Sequence, residues 1–129
     1  MQIEWVRCLT YEEARNYRHC IYLHEWDGKP FYWGKVQNSF FGGHMRTTNG
    51  YRASGRYNVG YRHWIEGCLR HGAELYLGKL PLNGVYTIDQ VENYLIMAYP
   101  SEMNSKCTKT ITPLDLTHVG DVPPILLAI

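Results

Sequence analysis

Two tyrosines, Tyr22 and Tyr32, stand in the segment CIYLHEWDGKPFYWGKV at residues 20–36, with Gly34 and Lys35 directly behind the second. Tyrosine has an apolar body and a polar tip, so a pair on one hairpin suits a core and a wet cleft equally. Between Lys29 and Lys79 the chain carries eight basic residues against two acidic ones, a surplus of +6; the rest carries five basic against ten acidic. A stretch this basic, interleaved with Tyr51, Tyr57, Tyr61 and Trp64, fits a phosphate-facing surface. It fits equally a solvated face whose counter-charges come from the chain ends. Glu92 is the most informative acid. It follows Val91 in a helical stripe, which sets its carboxylate at the edge of a buried face. A hard cation such as magnesium needs oxygen ligands and is often held by one or two carboxylates; the plainer alternative is an exposed helix glutamate.

The hairpin's geometry decides whether the tyrosines can act together. Alternate residues of a strand share a face, so the turn sets their relation. A two-residue Asp27-Gly28 turn would oppose Tyr22 to Trp33 and send Tyr32 to the other face. A three-residue loop, Asp27-Gly28-Lys29, would oppose His24 to Tyr32 and put both tyrosines on one face. An odd-numbered loop is therefore expected.

The elements that must position these groups follow from local patterns. Residues 2–8 read as a short strand, and Thr10-Tyr11-Glu12-Glu13 is a capping-box pattern opening a helix to about Tyr17. Residues 19–26 and 31–36 read as the hairpin strands, with Pro30 at a tolerant position. A short helix or irregular loop is expected around residues 38–47. Tyr61, Trp64, Ile65, Cys68 and Leu69 then recur at helical spacing, and His71-Gly72 ends that helix. Residues 73–80 alternate as a third strand. Thr87-Ile88-Asp89-Gln90 is a second capping box, opening a helix with the stripe Ile88, Val91, Leu95 and Ala98 that ends before Pro100. The residues from Thr110 onward read as an extended tail. This order implies a single α+β domain over 1–129: a small three-stranded antiparallel sheet flanked by helices, core about 19–106, with additions at 1–18 and 107–129.

At 129 residues and 45% hydrophobic, the chain is long enough to fold around one core without metal or disulfide. Cys8, Cys20, Cys68 and Cys107 are widely spaced, with no CxxC, which argues against structural zinc or a disulfide framework and for reduced, cytoplasmic thiols. No apolar run approaches the roughly 20 residues of a membrane span.

Taken in order, CIY (residues 20–22), YWG (32–34), Arg46, the segment YRHWIEGCLRHG and the segment VENYLIMAYPSEMN, with Glu92 and Asn104, resemble the GIY-YIG nuclease family. The resemblance spans about residues 20–104. It implies a magnesium- or manganese-dependent endonuclease that hydrolyses DNA phosphodiesters, with RNA a second candidate substrate. Such cleavage needs a proton acceptor, positive charge at the phosphate and help for the leaving oxygen. By resemblance, Tyr22 is the base with Tyr32 hydrogen-bonding nearby, Arg46 contacts the phosphate, Glu92 holds the metal, and Asn104 supports the site by bonding to the sheet. A tyrosine with a pKa of about 10 needs nearby cations to act as a base, and Lys35, Arg46 and the metal are the candidates.

The chain departs from the family pattern in places. Cys20 replaces the first glycine and Trp33 the isoleucine, and the segment between Gly34 and Arg46 is long. That leaves the arginine open between Arg46 and Arg52 or Arg56. Where the family often has a histidine or tyrosine four residues past the arginine, this chain has Gly50; Tyr51 substitutes for it, with His44 as an alternative. Arg52, Arg56, Arg62 and His63 are candidate DNA contacts. With no second recognition domain, targeting falls to the chain's own loops, to a homodimer or to a partner protein. The rival expectation is a nuclease-like domain that binds nucleic acid or a protein without cutting.

Overall fold

The computed structural model describes residues 1–42, 55–104 and 111–127, without the side chains of residues 55–61 and 63. In chain order the elements are β1 (Gln2–Cys8), α1 (Tyr11–Ala14), β2 (Arg18–Trp26), β3 (Lys29–Phe40), α2 (Gly55–Arg70), β4 (Glu74–Lys79), α3 (Ile88–Ala98), β5 (Thr117–Gly120) and α4 (Pro124–Leu127). The strands form one five-stranded mixed sheet in the order β3-β2-β4-β1-β5, antiparallel except where β5 runs parallel to β1.

The class is α+β as expected, but the sheet is larger than three strands. The N-terminal segment pairs with β4 and becomes an inner strand. The tail, expected to wrap the domain in extended form, instead adds β5 and a short helix. Its hold on β1 includes a Trp5 Nε1 hydrogen bond to His118 Nδ1 at 3.0 Å. The first helix stops at Ala14, short of Tyr17. Thr10 caps it by accepting from the Glu13 amide. β3 runs to Phe40, where a helix or loop was expected to begin; residues 43–47 of that expectation lie outside the described residues.

The hairpin reaches the expected register by a different route. Trp26 pairs with Lys29, so the turn is the two residues Asp27-Gly28, both at positive φ (54° and 74°). These angles match the twist of the strands, and Gly28 adopts its value at no steric cost. Yet His24 pairs with Tyr32 and Glu25 with Pro30, leaving Phe31 as an extra residue on β3. One bulged residue does what an odd loop would have done, and Tyr22 and Tyr32 share a face.

Two apolar layers cover the sheet. On one face Ile21, Leu23, Trp33, Trp5 and Tyr76 pack under Ile88, Val91 and Leu95 of α3. On the other, Cys20, Tyr22, Val36, Leu75 and Leu77 pack with Tyr11, Ala14, Phe41 and Ile65 of α2. Each large side chain removed from water contributes about 1.5–3 kcal/mol before entropy is counted. α3 has the full capping box, Thr87 and Gln90 bonding reciprocally, which satisfies two amides at the start of the helix that carries Asp89 and Glu92. Ala98, the last member of the expected stripe, is exposed, and Trp64 on α2 is 37% exposed.

Candidate functional site

Tyr22 sits on β2 directly opposite Gly34 on β3, and β3 lies at one edge of the sheet. A Cβ at position 34 would stand 2.1 Å from Tyr22 Cζ and 2.3 Å from its hydroxyl. The phenol therefore lies across the edge strand in space that only glycine leaves open. The glycine behind the tyrosine is thus a fitted part of the tyrosine's seat. Tyr22 itself is 2% exposed. The Tyr32 ring lies 6.0 Å from it, and Phe41 packs edge-on at 5.2 Å.

His24, two residues along β2, joins the same face. Its ring meets Tyr22 edge-on at 5.8 Å, Tyr32 nearly parallel at 6.4 Å and Trp64 edge-on at 5.1 Å. Its Nε2 is buried without a hydrogen-bond partner. Burial pushes the imidazole down to about 4, so it is neutral near neutral pH. His24 was not among the expected site residues, although strand alternation from Tyr22 assigns it to this face.

Glu92 is on the opposite face. Trp33 belongs to the α3 layer, and alternation sends Lys35 there too, where its ammonium bonds Asp89 and lies 3.9 Å from Glu92 Oε1. Burial raises the Glu92 carboxyl above the usual range, and Lys35 draws it partly back. The base and the metal ligand that the resemblance implies do not share one face: the tyrosines and the glutamate flank the same edge strand from its two sides. Lys35 likewise does not share a face with the phenols it was expected to activate. Asp89, one helical turn before Glu92, is the partner missed in the sequence; its i, i+3 spacing is the signal.

Asn104 holds the edge strand by its backbone. Its Oδ1 accepts from the Trp33 amide at 2.7 Å, and its Nδ2 donates to the Trp33 carbonyl at 2.9 Å. Next to it, Met103 donates its amide to the Phe31 carbonyl at 3.1 Å. Ser101 bonds Asn104 Oδ1 and fixes the amide's orientation. The segment thus covers the backbone of β3 just before the Gly34-Lys35 pair.

Arg62, expected as a DNA contact, is engaged within the fold. It bonds Glu66 at 2.6 Å and Glu12 at 2.7 Å, and its guanidinium lies 5.0 Å from the centre of the Tyr11 ring. These contacts tie α2 to α1 and offset its charge. Arg56 and His63 belong to α2, but their side chains lie outside the description. His44, Arg46, Tyr51 and Arg52 lie outside the described residues altogether.

Glu92 and Asp89 both face the Lys35 ammonium, which offsets their charge. Among the described residues, no group of three or more His, Cys, Asp or Glu side chains could hold a metal. Comparison with protein-family models, with curated proteins and with solved structures finds no significant match to this chain.

Proposed function

We propose that this chain is a divalent-metal-dependent endonuclease of the GIY-YIG kind, hydrolysing DNA phosphodiesters at a site that straddles the edge of β3. The observation that carries the reading is the seating of the Tyr22 phenol over Gly34. One residue further on, the chain turns Lys35 toward Glu92. By the resemblance Tyr22 would accept the proton of the attacking water, with Tyr32 beside it; that role requires the buried phenol to open past the edge strand toward the Glu92 side. Glu92 would hold magnesium or manganese, with Asp89 as its neighbour. When bound, the metal supplies positive charge at the phosphate and lowers the pKa of a coordinated water. Lys35 balances the two carboxylates. Arg46 would complete the site as the phosphate contact, and Asn104 keeps the edge strand in place through Trp33.

Two observations favour the non-cutting reading: Tyr22 is 2% exposed, and it stands on the opposite face from Glu92. Incubation of the purified protein with supercoiled plasmid separates the two. The nuclease reading expects relaxed or linear DNA with magnesium or manganese, and intact plasmid with chelator or with Glu92→Ala. Intact plasmid under every divalent metal at low salt, together with retardation on a gel, makes it a binding domain.

A further inference from the structure

β5 is four residues long, lies at the outer edge of the sheet and pairs with β1 alone. Its hold centres on Trp5. The Asp121 amide donates to the Trp5 carbonyl at 2.9 Å, and a Cβ at Gly120 would stand 2.4 Å from that carbonyl oxygen. On the core side the Trp5 indole donates to His118 Nδ1 at 3.0 Å, the two rings 6.1 Å apart. An indole nitrogen can only donate. Nδ1 must therefore offer its lone pair, which makes His118 a neutral imidazole with its proton on Nε2. A second proton would set one donor against another. Trp5 is 1% exposed, so its N–H would be left buried and unpaired, the costly way to lose a hydrogen bond.

The ionisable groups around this contact are few. On β1, Glu4 points to the opposite face and pairs with Lys79 at 3.6 Å, and the Arg7 guanidinium holds Glu74 at 2.9 Å. Asp115 and Asp121 flank β5 at its two ends; the Met1 ammonium bonds the Asp115 carbonyl, and the Asp121 carboxylate accepts the Arg7 amide. α4 carries no titratable side chain, Tyr86, Tyr94 and Tyr99 pack on the same core layer, and the α3 carboxylates Asp89 and Glu92 face Lys35. Burial lowers the imidazole below its ordinary range, and no neighbouring charge among the described residues offsets it. In an opened strand His118 regains its ordinary value of about 6.5. Opening therefore takes up a proton, and acid favours it. The apolar contacts of Leu114, Leu116, Val122 and Ile125 are blind to pH and keep most tails seated.

We propose that Trp5 and His118 form a proton-operated latch that holds the C-terminal strand to β1 at neutral pH and loosens it in mild acid. The latch is independent of the nuclease reading. Its test is amide exchange of the full chain at about pH 7.5 and about pH 5, expressed as protection relative to the unstructured rate at each pH. The Thr117 and Asp121 amides, which bond the Met1 and Trp5 carbonyls, are expected to lose protection about tenfold in acid, while Ile21 and Leu23 in mid-sheet lose less. His118→Asn sets a carbonyl oxygen that does not titrate near the place of Nδ1, and is expected to protect both amides equally at the two pH values. Asp115 and Asp121 are unchanged in that variant, so a carboxylate effect would show in both proteins. The wild-type Trp5 indole N–H gives a reading that needs no variant: it should begin to exchange at the midpoint of the His118 titration. Protection at Thr117 and Asp121 that is the same at both pH values, or that falls as much in His118→Asn as in the wild type, overturns the latch. So does an indole N–H that stays protected through the His118 titration.

Discussion

One methyl group at Gly34 would occupy the place of the Tyr22 phenol, and the His24, Tyr32 and Phe41 rings packed round it leave it no simple retreat. Gly34→Ala is expected to destabilise the fold by about 1–3 kcal/mol through overpacking, read by denaturant unfolding. Any cleavage activity should fall with it, because the ring must move. Beside it, His24 sets a pH dependence. Its folded-state value of about 4 lies below the ordinary 6.5, so between those values the unfolded chain binds a proton that the folded chain does not. Stability should therefore drop by about 3 kcal/mol as pH falls from 6.5 to 4. Glu25 works the other way: burial first, then Glu74, raises its carboxyl above 4.5, a stabilisation present at low pH and lost as pH rises through the folded value. The profile is best measured in a Glu25→Gln background, where adding His24→Phe should flatten it and an unchanged slope would contradict the assignment. At this scale the sequence was partly legible. The expected odd count put Tyr22 with Tyr32, and alternation from Tyr32 places Lys35 on the opposite face; that step separates Glu92 from the phenols.

At the level of elements, the hairpin shows how one register can come from two devices. Asp-Gly is a strong signal for a two-residue turn, and the turn is two residues. The odd count came from a bulge at Phe31, which depends on packing against α2 and leaves no turn-like signature. The two capping-box segments and the Ile88, Val91 and Leu95 stripe of α3 were readable because helix ends and helix faces are encoded locally; of the α2 stripe Ile65 is buried, Cys68 and Leu69 are half-buried and Trp64 is exposed. Asn104 is the element-scale test. Asn104→Ala removes both bonds to Trp33, and the expected loss is about 1–3 kcal/mol if the Trp33 groups stay dry. Amide exchange at Trp33 should accelerate while exchange at Ile21 and Leu77 changes little. Unaltered protection at Trp33 would mean the edge strand is held by something else.

Over the whole molecule, the missed part is the far side of the sheet. Four residues of β5 pair in parallel with β1 across more than a hundred positions of sequence, and nothing local in THVG announces a strand. The tail also packs Leu114, Leu116, Val122, Ile125 and Leu126 against the α3-side core. Deleting residues 111–129 should therefore lower the unfolding midpoint and favour association through the bared β1 edge, detectable by light scattering. A truncated chain as stable and monomeric as the full one would show the tail to be an accessory.

The central claim is that one edge strand carries chemistry on both of its sides. Single-turnover cleavage of plasmid by folded Tyr22→Phe and Glu92→Gln measures it most directly. Each variant is expected to lose at least about a hundredfold in rate with its unfolding curve preserved. Cleavage at the wild-type rate by either variant would contradict the account.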